Sequence, residues 1–279
     1  GEMADGKLQC DMMLVAEPAF SLELKEDGYL EPIEIEGADD LLRFPYDEEG
    51  YWYPVRVCNM VLACNPEMAD AWAAKGVNIP KSFKDFATDP SLKGYISMGN
   101  PLTSGTTFAA VASLTEDDHY GEDYLKGLAD NKVMIESGST AITKLQTGEC
   151  AAIMILEESI LKVLKEAEDA GTPVTNLQII YPEDGVILIP YTVMTVAEDR
   201  SANVNADACE ALENWFLSED AQKLIMEGYM HSVFKGMKEN PWGSVDTDDL
   251  IAKDLGVDGE NAYKNREAIN KAWTEIVTK

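Results

Sequence analysis

The chain has 279 residues, 46% of them hydrophobic, and carries 51 acidic against 22 basic residues for a net charge of −29. That length and apolar fraction suit one large or two medium globular domains with real cores. So acidic a surface repels nucleic acid and anionic lipid, and no apolar run approaches the ~20 residues of a membrane span.

Met12 to Ala16 is an apolar run of the buried-strand type, closed by Glu17-Pro18, and a helix is expected from there to Leu24. Trp52 to Cys64 is a long β-rich stretch ended by Asn65-Pro66, with a helix from about Glu67 to Gly76 and a short one beginning at Ser82. Lys93 to Met98 reads as a strand that delivers the chain to NPLTSGTTFAAVASL, Asn100 to Leu114. Pro101 bars an earlier helix start, Thr103 or Ser104 can cap, and Phe108, Val111, Ala112 and Leu114 recur at helical spacing. Ser104, Gly105, Thr106 and Thr107 therefore stand at the positive end of a helix. An ordinary N-cap would account for one such motif.

A second one follows. Lys132 to Glu136 reads as a short strand, then Ser137, Gly138, Ser139 and Thr140 open a helix that ends at Gly148. Ala151 to Leu156 is an apolar strand with Glu157 and Glu158 at its carboxyl end, before a helix to Ala170. Strands are also expected at Leu177 to Tyr181 and Thr192 to Ala197, with Pro182 to Pro190 as a loop between them. Helices are expected at Ala206 to Leu217 and Ala221 to Tyr229, with Trp215 and Phe216 in the core. The tail places Ile269, Trp273 and Ile276 on one helical face.

Strands alternating with helices point to an α/β fold with largely parallel sheets, in which ligands bind where strand ends lead into helices. Two hydroxyl-and-glycine helix starts in one module favour an oxyanion site. Neither a Ser-His-Asp order, nor Gly-x-Ser-x-Gly, nor a Walker loop is present, so no enzymatic activity is expected. Five cysteines without a Cys-x-x-Cys and two histidines argue against a disulfide framework and a zinc site. No cofactor is expected.

The order of these motifs resembles the extracellular solute-binding proteins of ABC importers, in the periplasmic-binding-protein type 2 branch that takes iron(III), aminoethylphosphonate or hexose phosphate. WYPVRVCNMVLACNPE, NPLTSGTTFAAVASL, ESGSTAITKLQTGECAAIM, IIYPEDGVILIPYTVMTVAED and ALENWFLSEDAQKLIMEG carry it, and it runs through essentially the whole chain. The resemblance implies two lobes, each a mixed, mostly parallel sheet flanked by helices, joined by two crossover strands. Lobe one would be residues 1–59 plus 191–279, and lobe two 60–190. The family's N-terminal strand, helix and part of a second strand are expected to lie ahead of Gly1.

The resemblance also implies a bacterial, monomeric protein outside the cytoplasm, periplasmic or extracellular, with lipid anchoring of a longer precursor left open. A membrane permease and an ATPase would be its partners. The solute would be small and anionic, an organophosphate such as hexose phosphate or an organophosphonate such as aminoethylphosphonate. The two Ser/Thr/Gly starts would hold its oxyanion, and Glu17 with Glu157 or Glu158 its hydroxyls or ammonium. Tyr191, Thr192 and His231 would also contact it. Ferric iron is the alternative, with Glu17, Tyr191 and His231 as a partial ligand set. Against iron, IPYTV holds a single tyrosine where the iron-binding members carry an adjacent pair. A ligand-sensing module of the same fold is a further alternative.

Overall fold

The computed structural model describes residues 6–203 and 205–279. In chain order, β1 (Met12–Val15), α1 (Pro18–Glu26), β2 (Leu30–Glu31) and α2 (Ala38–Leu41) precede the long strand β3 (Tyr53–Cys64). Next come α3 (Ala69–Ala74), α4 (Phe83–Thr88), β4 (Ile96–Met98), α5 (Gly105–Leu114) and α6 (Asp123–Asp130). Then β5 (Met134–Ile135), α7 (Gly138–Thr147), β6 (Ala152–Leu156) and α8 (Glu157–Asp169) follow. The order closes with β7 (Gln178–Ile180), β8 (Ile187–Val196), α9 (Ala206–Phe216), α10 (Glu219–Glu227), α11 (Thr247–Ile251) and α12 (Gly259–Ile276).

The chain divides into two compact units. The first is Gly1–Cys58 with Pro190–Pro241, and the second is Asn59–Ile189 with Trp242–Lys279. Strands β3 and β8 each start in one unit and finish in the other.

In the first unit β8 pairs antiparallel with β1, Leu14 opposite Val193, and with β2. Leu24, Trp52, Met194 and Val196 form its core. Tyr53 is buried against Tyr46, their rings stacked at 5.5 Å, and its hydroxyl donates to the Ile33 carbonyl at 2.8 Å. Trp215 departs from expectation. It is 44% exposed, because α9 buries Cys209 and Glu213 four residues apart and so turns the following residues outward.

In the second unit β6 pairs antiparallel with β3 and parallel with β4, which is parallel to β5. The α/β class holds, and the sheets are mixed. Parallel pairing is confined to the strands around β4, since β1, β2, β6 and β7 meet the long strands β3 and β8 antiparallel. Strand β8 also begins earlier than expected, inside the stretch read as a loop, because Ile187 and Ile189 bury their side chains fully in this unit's core.

Residues 242–279 do not group with the first unit as the sequence reading had them. Helix α12 packs on α5 and α6, and Trp273 is fully buried beside Leu114, Leu125 and Leu128. Leu188 N–H donates to Asp254 Oδ1 at 2.9 Å, tying the segment to β8 within the same unit. Burying the Ile269–Trp273–Ile276 face requires an apolar partner, and the α5–α6 surface supplies it.

Candidate functional site

Two helices of the second unit begin at one cavity. After β4, Asn100 makes a tight turn, its Oδ1 accepting from Leu102 N–H at 3.0 Å and its carbonyl from Ser104 N–H at 2.9 Å. Ser104 then adopts an extended backbone, and its Oγ accepts from Thr107 N–H at 3.3 Å. After β5, Ser137 repeats this geometry, its Oγ accepting from Thr140 N–H at 3.3 Å. Serine with threonine three residues on caps both helices. Because β4 and β5 are parallel neighbours, their carboxyl ends lie side by side and both helix starts open on the same space.

That space is a cavity of about 490 Å³. Asn100, Thr103, Ser104, Thr106 and Thr107 line it from the first start, and Glu136, Ser137 and Gly138 from the second. Met60, Met154 and Leu156 give it an apolar floor, and Ser159 of α8 adds a hydroxyl. Among the described residues, the N–H groups of Gly105, Thr106, Gly138 and Ser139 have no protein acceptor, as the first turn of a helix leaves them. The Ser104 oxygen accepts from both Thr107 N–H and, at 3.0 Å, Thr107 Oγ1–H, and it shares a 3.2 Å hydrogen bond with Thr106 Oγ1, so one hydroxyl proton of the Ser104–Thr106 pair is left for the cavity. Aligned donors and two positive helix ends suit an anion.

Gly99 makes this packing possible. A Cβ there would fall 2.5 Å from Thr107 Oγ1.

The sequence-derived residues divide three ways. Ser104, Thr106, Thr107, Ser137 and Gly138 line the cavity, while Gly105, Ser139 and Thr140 belong to the same first turns without lining it. Glu157 and Glu158 do not line it. Glu157 is fully buried, accepting from Asn59 Nδ2 at 3.1 Å, from Ser244 Oγ–H at 2.6 Å and from the Tyr181 hydroxyl in a short bond. Burial and the Glu157 charge together raise the Tyr181 phenol above its ordinary range. Ser159, one residue beyond Glu158, takes the place on the wall.

Glu17, Tyr191, Thr192 and His231 belong to the first unit. Glu17 is buried and caps α1 through Phe20 N–H at 3.3 Å. Thr192 shares a 2.6 Å hydrogen bond with Ser21, pinning α1 to β8. His231 is buried, with both backbone groups paired to Val57 at 2.9 Å. Tyr191 lies under the guanidinium of Arg56, 4.3 Å from its ring centroid. Among the described residues, no three His, Cys, Asp or Glu side chains form a group able to hold a metal ion.

Sequence reasoning missed Asn100, Thr103, Glu136 and Ser159. Asn100 was legible as the turn former before Pro101. Glu136 and Ser159 were not, since only the tertiary arrangement sets their side chains on the cavity wall.

Residues 9–243 match the family model described as bacterial extracellular solute-binding protein. The chain is 26% identical over 264 residues to an uncharacterized protein of Haemophilus influenzae, covering 90% of this chain and 71% of that one. Over 52 residues, 19% of this chain and 18% of the other, it is 43% identical to the tungstate-binding protein TupA of Peptoclostridium acidaminophilum. Among solved structures it resembles the periplasmic binding protein AfuA of Actinobacillus pleuropneumoniae, solved with fructose 6-phosphate. The TM-score is 0.78 at 21% identity, covering 99% of this chain and 86% of that one. It also resembles a ferric binding protein of Campylobacter jejuni, with TM-score 0.76 at 18% identity and the same coverage.

Proposed function

This chain belongs to the bacterial extracellular solute-binding proteins, and on that premise we propose that it captures a small organic anion, an organophosphate or organophosphonate, at the paired helix starts of its second unit. One observation carries the proposal. Four backbone N–H groups without protein acceptors and the hydroxyls of Ser104, Thr106 and Ser137 belong to two helix starts on one cavity. Three phosphoryl oxygens require several short donors, which need carry no charge. The net charge of −29 does not prevent this, because helix ends act within about a turn and salt screens charge beyond ~8–10 Å.

A ferric ligand set built on Tyr191 is the competing possibility, since the fold is shared with ferric binding proteins. The Arg56 guanidinium over the Tyr191 ring argues against it, because a cation there disfavours a second one. The protein binds without turnover and passes its solute to a membrane permease driven by an ATPase.

A thermal-shift panel on metal-stripped protein tests the assignment, with glucose 6-phosphate, fructose 6-phosphate, aminoethylphosphonate, inorganic phosphate and ferric citrate. Ligand at ~100 times Kd stabilises the folded state by ~2.7 kcal/mol, a readily measured rise in Tm. A rise with an organophosphate or organophosphonate is expected. A rise with ferric citrate alone overturns the proposal.

A further inference from the structure

The carboxylate on the cavity wall is Glu136, and it is already partnered on one side. Its Oε1 takes a short bond from Lys144 Nζ in the last turn of α7, and both side chains are 25% exposed. Its Oε2 accepts from no protein donor among the described residues. Of the other polar side chains that line the cavity, Asn100 has its Oδ1 engaged by Leu102 N–H, and the rest are hydroxyls.

We infer that the Glu136–Lys144 pair selects, among oxyanions, those whose carbon skeleton carries a neutral hydroxyl. The inference rests on the anion-binding proposal above and names the part of the solute that the helix starts leave unread. Lys144 cancels the carboxylate charge, so an ammonium group gains little net attraction there. A solute hydroxyl can donate to the free lone pair of Oε2 and so supplies the partner that this acceptor lacks. A fully deprotonated oxyanion such as tungstate offers acceptors alone and sets one of them against Oε2. The cost of leaving a polar group opposed or unpaired generates discrimination more effectively than an added contact. Size agrees, since about 490 Å³ with a floor of Met60, Met154 and Leu156 accommodates a carbon skeleton beside the oxyanion. The selection is therefore opposite to what the short stretch shared with a tungstate-binding protein would suggest.

Titration calorimetry of the native protein, Glu136→Gln and the double variant Glu136→Ala with Lys144→Ala tests this. Glucose 6-phosphate, aminoethylphosphonate and sodium tungstate are the probes. The native protein is expected to prefer glucose 6-phosphate to both others by at least about tenfold. In Glu136→Gln, Lys144 is left unneutralised and tungstate affinity rises by about tenfold or more. The double variant keeps the net charge of the pair and loses about tenfold for glucose 6-phosphate, with tungstate changed less than about threefold. Native preference for tungstate or aminoethylphosphonate overturns the inference, and so does an equal loss for all three probes in the double variant. Binding of none of them by the native protein removes the anion-binding proposal itself. Glu136→Gln preserves side-chain shape, so its result stands even if the double variant does not fold.

Discussion

Asn59 Nδ2 donates to Glu157 Oε2 at 3.1 Å, joining β3 to the first residue of α8 inside the second unit. With Tyr181 and Ser244 on the other oxygen, this bond holds Glu157 in the protein's interior and away from the cavity. Glu157→Ala would leave the buried Asn59 amide without its carboxylate acceptor and strip an acceptor from the partly buried Tyr181 and Ser244 hydroxyls, and is expected to destabilise the fold by roughly 1–3 kcal/mol. Organophosphate affinity should hold within about threefold. Urea unfolding gives the first quantity and calorimetry the second; a large affinity loss in a stable variant would restore Glu157 as a ligand contact.

Ser104 has two roles that a single substitution can separate. Glycine is nearly as good an N-cap as serine, so Ser104→Gly should cost only a few tenths of a kcal/mol in stability. It removes a hydroxyl donor from the cavity, and anion affinity should fall by about tenfold. Thr106→Val removes a neighbouring hydroxyl that does not cap the helix, and a similar loss is expected. Unchanged affinity in both variants would mean that the oxyanion sits elsewhere.

Gly99→Ala tests the close approach under the same helix start. The new methyl would meet Thr107 Oγ1 at 2.5 Å, so either Thr107 rotates or the backbone shifts. Overpacking of this kind costs about 1–3 kcal/mol. The threonine that bonds the capping oxygen would move with it, so affinity should drop as well. The double variant Gly99→Ala with Thr107→Ala should recover much of the lost stability, which a melting curve reads directly.

Glu213 is a buried carboxyl of the first unit, 1% exposed, whose one oxygen accepts from Thr195 Oγ1–H at 2.7 Å. Burial raises its pKa from 4.5 to about 7, and the Thr195 bond offsets only part of that. Folding therefore favours the protonated form. The stabilisation is fully present below about pH 4.5 and is lost as the pH rises towards 7, by roughly 3 kcal/mol if the whole shift is realised. Glu213→Gln is expected to flatten that part of the pH–stability curve and to be the more stable protein at pH 8. Parallel curves for variant and native protein between pH 4 and 8 would exclude this titration.

Local chemistry made both helix starts legible in advance. Ser104 and Ser137 are followed by the threonines whose N–H groups they accept, and apolar residues at helical spacing mark the helices behind them. The family was legible too, because strand runs, turn formers and helix starts occur in a fixed order along the chain. Composition set the expectation that nucleic acid is not a partner, since a net charge of −29 opposes a polyanion whatever the fold.

The carboxylates were a different matter. Glu17, Glu136, Glu157 and Glu158 all lie beside predicted strand ends, and nothing local distinguishes them. Their roles depend on which donors lie within reach: Phe20 N–H for Glu17, Lys144 for Glu136, and Asn59, Tyr181 and Ser244 for Glu157. Those partners come from up to 98 residues away. The tail was misassigned for the same reason. An amphipathic face predicts that α12 will be buried but not against what, and only the exposed apolar surface of α5 and α6 decided it. The sequence by itself determined where backbone donors are left unpaired, which is a matter of a few consecutive residues. Which carboxylates are hydrogen-bonded inside the protein and which one faces the cavity was decided by the tertiary structure, because a hydrogen bond acts only over the ~3 Å that folding brings about.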